Sequence, residues 1–408
     1  GDIPYSEALK GSEGVLNPIS DDGATVYASA IALLDSALAD FNAGSLAGSS
    51  NDFYYDGNSS KWIKAANSIK KKALLNTGDL AGYNAISDYI STAADDFEFQ
   101  WGVNQATPDT RHPLYRSNYT NTGGGEYQSN WLMFNMLNGH AGNADPRIKY
   151  YYYRQVSETP GFDSAANEEV LECGLTGYYV PPQLRGDDTP FCAPTNAASV
   201  PAGGFWGRDH GNDNGTPPDG FLRTLRGTYP AGGKFDDRSY EGQILGAGEK
   251  GAGITPVMLS SWMHFMNAEV AVTSGGDATA ETLTALSQAL DKADDLGGDA
   301  LTTADRDAYV AAFTSDWNAA SGSTADQLDM WATEYFISMV GNGIDAYNSY
   351  RRNGYPRSVQ PNVEPDPGSF PTVQYFPANF INTNKNSAQR NSKSDRVFWN
   401  ASGATNLK

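Results

Sequence analysis

The chain has 408 residues, 39% of them hydrophobic and 12% aromatic. That is enough to bury one large core or two ordinary ones, and it argues against wholesale disorder. Against 28 Lys and Arg stand 48 Asp and Glu, a net charge of −20, and such a surface repels phosphate backbones and disfavours nucleic acid as a partner. No stretch reads as the ~20 apolar residues of a membrane span, so a link to a membrane is expected to run through an anchor or a partner.

The chain opens at Gly1 without a signal peptide, and an upstream segment is expected. Residues 23–41, GATVYASAIALLDSALADF, place Val26, Ala30, Leu33, Leu34 and Leu38 on one helical stripe. SSKWIKAANSIKKKALL follows with a Ser cap, turning Trp62, Ala65, Ala66, Ile69 and Ala73 inward and Lys64, Lys70, Lys71 and Lys72 to solvent. Between about 99 and 253 glycine, proline, asparagine and tyrosine dominate. There SNWLMFNMLNG (129–139) reads as a helix and RIKYYYYRQV as a short strand. ITPVMLSSWMHFMNAEVAV then predicts a helix with Pro256 near its first turn and Met258, Trp262, Phe265, Met266 and Val270 inside. Three further helical segments follow: DATAETLTALSQALDKADDLG, TTADRDAYVAAFTSDWNAA and STADQLDMWATEYFISMVGNGIDAYNSYRR. Helices of similar length joined by short turns suggest stacked pairs, as in an α-solenoid. The expected fold is therefore mostly α, a single domain with a scaffold at about 1–98 and 254–352. A loop-rich ligand face spans about 99–253, and an irregular segment spans 353–408.

Few motifs carry chemistry. GAGEKG (246–251) matches G-x-G-x-x-G by spacing but follows no strand and opens no helix, so it reads as a loop. No G-x-S-x-G, H-E-x-x-H or C-x-x-C occurs. No cofactor and no metal are expected, although an irregular calcium site in DHGND stays open. His264 reads as a hydrogen-bonded structural residue. Cys173 and Cys192 are the two cysteines; they suit either a disulfide in an oxidising compartment or two separate buried thiols.

The loop aromatics are Trp101, Tyr115, Tyr119, Tyr127, Trp131, Phe205, Trp206, Phe221 and Tyr229. They either stack on sugar rings and peptide side chains or staple a region poor in aliphatic residues. FWGRDHGNDNGTPPDG (205–220) concentrates the interactive groups on a loop that Gly207, Gly211 and Pro217–Pro218 keep irregular. Asp209 and His210 are expected to hold that loop by hydrogen bonds to neighbouring backbone. Trp206 would supply an aromatic platform and Arg208 a donor at its rim. Alternatively the motif is a staple, and the ligand sits on Trp101, Tyr127 or Trp131.

GDIPYSEA, KWIKAANSIKKKAL, ADPRIKYYY, FWGRDHGNDNGTPPDG with YPAGGKFDD, GAGITPVMLSSWMHFMNAEVAV and AYNSYRRNGYPR resemble, in that order, the landmarks of SusD/RagB-like proteins. The branch most similar carries a W-G-R-D-H-G loop. The resemblance implies a tetratricopeptide-like scaffold bearing a loop-rich ligand face. It also implies a lipid-anchored protein on the extracellular face of the outer membrane of Bacteroidota, and partnership with a SusC-like TonB-dependent transporter. It implies a binding subunit for oligosaccharide, less readily peptide, rather than an enzyme; a secreted glycan-active hydrolase on a helical scaffold is the alternative. The surface location it implies favours the Cys173–Cys192 disulfide. The family's lipidated cysteine and upstream helices do not appear here. Net acidity disfavours polyanionic glycans unless Arg111, Arg116, Arg208, Arg223 and Arg226 make the face locally basic.

Overall fold

The computed structural model describes residues 2–44, 51–121, 123–157, 204–205, 207–211, 221–242, 245–362, 366–400, 403–405 and 407–408. Trp206, Cys173 and Cys192 lie outside them, and with them the expected platform and disulfide. The chain divides into two compact units, one of residues 1–90, 347–354 and 368–408, the other of 91–346 and 355–367.

The first unit is built on α1 (Gly23–Asn42), α2 (Ser59–Thr77) and α3 (Leu80–Ala85). Asp22 caps α1 by accepting from the Ala24 and Thr25 N–H groups at 2.9 and 3.0 Å. The stripe it turns inward is Tyr27, Ile31, Leu34, Leu38 and Phe41. Ala30 and Leu33, expected inside, face out, and Leu33 is 62% exposed. A 20-residue helix of mean hydropathy 1.3, α1 also has the length and apolarity of a membrane span, contrary to the sequence reading. It nonetheless packs on α2, where Lys70 pairs with Asp35.

Asn58, not a serine, caps α2, accepting from the Lys61 N–H at 3.2 Å. Lys71 corrects the solvated-face reading: it is 3% exposed, its Nζ donating to the Tyr83 and Ile86 carbonyls at 2.9 and 3.2 Å. Those are carbonyls at the end of α3, where a cation meets the negative end of the helix dipole. The Tyr83 ring lies 3.7 Å from the same ammonium.

The second unit begins with β1 (Phe97–Gln100) and α4 (Pro113–Asn118), then α5 (Asn130–Asn138), α6 (Ile148–Tyr151), β2 (Tyr152–Tyr153) and β3 (Leu225–Arg226). It continues with β4 (Ile254–Met258), α7 (Ser260–Thr273), α8 (Thr279–Asp294), α9 (Thr303–Ala319) and α10 (Thr324–Ser338). Then come α11 (Gly343–Asn353), which ends in the first unit, and α12 (Ala378–Thr383), which lies wholly in it. Residues 254–258, expected to start a helix, form β4 instead, antiparallel to β1 with Gln100 opposite Ile254 and Glu98 opposite Pro256. Proline, which has no N–H to give a ladder, is tolerated in this two-stranded sheet because both its strands are edges. Helix α7 therefore starts later, at Ser260, whose N–H donates to Asp96 Oδ1 at 2.7 Å. The tyrosine run divides likewise, into the last turn of α6 and the strand β2, and Tyr150 to Tyr153 are all buried.

Helices α7 to α10 are the tetratricopeptide-like scaffold. Each of their three large buried indoles satisfies its N–H: Trp262 to the Ser338 carbonyl, Trp331 to the Phe265 carbonyl, Trp317 to Thr279 Oγ1. The Val340–Gly341–Asn342 turn splits α10 from α11, with Gly341 at φ +100°.

Loop and scaffold are joined by a buried polar network. Arg147 forks onto Asp145 at 2.6–3.0 Å and also pairs with Glu334 of α10. Glu334 further accepts from Tyr309 at 2.6 Å and from His140 Nε2 at 3.1 Å. His140 Nδ1 faces Asp316 at 3.1 Å. Arg147, Asp145 and Glu334 are fully buried, so every charge there depends on its partner.

Candidate functional site

The loop at 207–211 is docked along 128–130. Arg208 N–H donates to the Gln128 carbonyl at 2.9 Å and Asn130 N–H to the Arg208 carbonyl at 3.0 Å, a short parallel bridge. Glycine is required at 207, because a Cβ there would lie 2.0 Å from the Gln128 oxygen. Gly211, at φ +80°, ends the segment against the Asn362 side chain.

Asp209 and His210 hold this loop, through partners far away in sequence. Asp209 accepts from Asn130 Nδ2 at 3.1 Å. His210 N–H donates to Gln360 Oε1 at 3.1 Å. Its Nδ1, 3.0 Å from the Gln360 carbonyl, must carry the ring proton. Its Nε2 then accepts from the Ser129 hydroxyl at 2.9 Å, and Ser129 Oγ in turn accepts from the Leu132 N–H at 3.3 Å, capping α5. Burial keeps this imidazole below its ordinary pKa and hence neutral.

Beside the loop stand two half-buried rings. Trp131 lies 5.7 Å from both the His210 and Phe336 rings. Unlike the scaffold indoles, its Nε1 is buried without a hydrogen-bond partner among the described residues. Tyr127 is flanked by two guanidinium groups, Arg208 at 4.5 Å and Arg223 at 4.0 Å. Five of the nominated residues (Tyr127, Trp131, Arg208, Asp209 and His210) thus form one cluster. Trp101 belongs to another group: its Nε1 donates to Thr255 Oγ1 at 2.9 Å, and its ring meets Phe99 and His112 edge-on.

The five arginines that could make this face basic are partly neutralised, three of them by two carboxylates. Arg111 forks onto Asp109 at 2.8 and 3.0 Å, Arg116 reaches the same carboxylate at 3.7 Å, and Arg226 pairs with Glu126 at 3.0 Å. Two adjoining half-open cavities of about 320 and 310 Å³ escaped the sequence reading. They share Pro146, Lys149, Asp236, Arg238 and Asp305. Residues from three distant segments meet there, and no local pattern announces that.

The four histidines fall into opposing pairs. Burial alone would depress His140 and His264, yet the carboxylates of Glu334 and Asp316, and of Glu281, outweigh it and raise both above 6.5. Burial pushes His112 down to about 4, and it lowers His210 too. A raised folded-state pKa contributes stability that is complete below 6.5 and is lost as pH climbs through the folded value. A depressed one contributes stability that is complete above 6.5 and is lost as pH falls. Thermal melts between pH 6.5 and 9 should therefore show an alkaline limb, with stability falling as pH rises through the folded values of His140 and His264. His140→Gln with His264→Gln should flatten the alkaline limb only; an unchanged alkaline limb would refute the assignment.

Residues 1–170 match a SusD-like family described as starch-binding and associating with the outer membrane. No curated protein matches the sequence. Among solved structures, a SusD homologue from Bacteroides uniformis superposes with a TM-score of 0.65 at 17% identity, over 98% of this chain and 77% of that one. A chitin-binding protein gives 0.62 at 20% identity, over 98% and 76%. A SusD homologue from Bacteroides fragilis gives 0.61 at 19%, over 94% and 74%. At these identities the likeness is one of fold.

Proposed function

We propose that this chain, which matches a SusD-like family over residues 1–170 and shares its fold with SusD homologues, is a SusD/RagB-like protein that captures neutral oligosaccharide at the cell surface and passes it to a SusC-like TonB-dependent transporter. Proteins of this kind bind rather than catalyse, and their family is associated with the outer membrane. The extracellular face and a lipid anchor are part of the proposal. The observation that carries it is the fixed loop, tied by backbone and side chain so that Tyr127, Trp131 and Arg208 are held ready beside one another. The chitin-binding protein that shares the fold supports a glycan.

Charge supports the neutral class. With the chain at −20, a polyanion meets a repulsion that the arginines of this face, three of them already held by Asp109 and Glu126, offset only in part. Titration calorimetry with maltoheptaose and chitohexaose should give saturable binding, with the sugar recovered intact by mass spectrometry. Shortened sugar in the recovered fraction would overturn the binding role. Affinity capture from outer membranes should retrieve a TonB-dependent barrel, and its absence would remove the transport step.

A further inference from the structure

We propose that Phe221 is the stacking platform of this face, taking the apolar C–H face of a hexopyranose; the proposal rests on the glycan reading above and names the residue that contacts the sugar. Of the loop aromatics within the described residues, Tyr115, Tyr119, Phe205 and Tyr229 are buried, and Trp101, Tyr127 and Trp131 are half-buried. Phe221 alone among them is exposed, at 48%.

Its backbone is strained, at φ +63°, a region in which a bulky L-residue is uncommon. Neighbours enforce that conformation. Gln155, itself 3% exposed, donates from Nε2 to the Phe221 and Arg223 carbonyls, both at 2.7 Å, and so clamps the turn on either side of residue 222. Gly123, at φ +112°, leaves the room for the ring's root, since a Cβ there would lie 2.3 Å from the Phe221 Cβ.

The ring also ends a ladder. The Arg223 guanidinium lies 5.3 Å from the Phe221 centroid and 4.0 Å from that of Tyr127, whose ring Arg208 meets at 4.5 Å. Aromatic rings and guanidinium groups alternate from the docked 207–211 loop outward, and Phe221 is the exposed rung. Clamping a phenyl group there contributes less to folding than burying it would, because the residue stays 48% exposed and its backbone is strained. The arrangement is useful to a ligand with an apolar face. The axial C–H groups of a hexopyranose provide one, and its equatorial hydroxyls stay hydrated.

The test uses the whole chain, maltoheptaose and chitohexaose as probes, and two variants. Phe221→Gly should weaken binding at least about tenfold, the lower part of the range for loss of an aromatic stack. It should leave the melting temperature unchanged or raised, because glycine adopts positive φ freely. Phe221→Trp should retain the affinity. A Phe221→Gly protein that binds like the parent overturns the platform and leaves the glycan reading standing. One that melts several degrees lower makes Phe221 a packing element and overturns it as well. A parent chain that binds neither sugar overturns both readings together.

Discussion

Replacing Glu334 by alanine is expected to cost the protein ~3–5 kcal/mol, the usual penalty for removing one member of a buried, hydrogen-bonded ion pair. The carboxylate serves three partners: Arg147 and His140 from the connection between α5 and α6, and Tyr309 from α9. Burial pushes its pKa up, but the Arg147 charge and the His140 contact prevail and hold it well below the usual carboxylate range. Without it Arg147 keeps only Asp145, and His140 keeps only the half-exposed Asp316. The Tyr309 hydroxyl, on a ring only 1% exposed, loses its acceptor. Glu334→Gln preserves the shape and an acceptor for Tyr309, yet it removes the charge that balances Arg147, so it should recover only part of the loss. Urea unfolding of the three proteins measures this, and a loss below ~1 kcal/mol for the alanine variant would show the network to be incidental.

The second large effect is expected from Gly207→Ala. The added methyl would meet backbone, the Gln128 carbonyl carbon at 2.8 Å and its oxygen at 2.0 Å, with Met133 Cε at 2.9 Å behind. Backbone yields poorly, so the two segments must part. That breaks the bonds between 208 and 128 and between 130 and 208, and carries Asp209 away from Asn130. Overpacking of this kind costs ~1–3 kcal/mol. Because the same docking positions Arg208 over Tyr127 and His210 beside Trp131, sugar binding should be lost with it. Gly242→Ala is the control: nothing lies within 4 Å of its Cβ, and it should melt and bind like the parent. A Gly207→Ala protein with parental affinity would mean that the ligand does not depend on the docked loop.

How far the sequence foretold this molecule depends on the range of the interaction. Helices whose apolar spacing repeats every turn were legible, and α7 to α10 follow their pattern. The helix at 129–139 was legible for the same local reason, and Ser129 caps it. The buried Lys71 was not, because its acceptors arrive on the next helix, 12 and 15 residues on. Nor was the face of α1, where moderate apolarity all round leaves the period ambiguous between two neighbouring stripes. Pro256 looked like a helix start, but Glu98 of β1, far earlier in the chain, is its strand partner. At the site, composition nominated the right kinds of side chain. It could not tell that Trp101 would join Thr255 and His112 while Trp131 joined His210, nor that Asp109 and Glu126 would occupy three arginines.

The tie between His210 and Gln360 spans 150 residues, and this sets an order of events during biosynthesis. The loop leaves the ribosome long before the residue that fastens it. At about 5–20 residues per second, the interval is on the order of ten seconds. Throughout that time the helices between them can emerge and pack, while the segment that positions Arg208 and His210 waits for its last anchor. The closed loop is therefore among the latest features the nascent chain acquires, and a chain released before residue 360 would carry the whole W-G-R-D-H-G sequence with its clasp open.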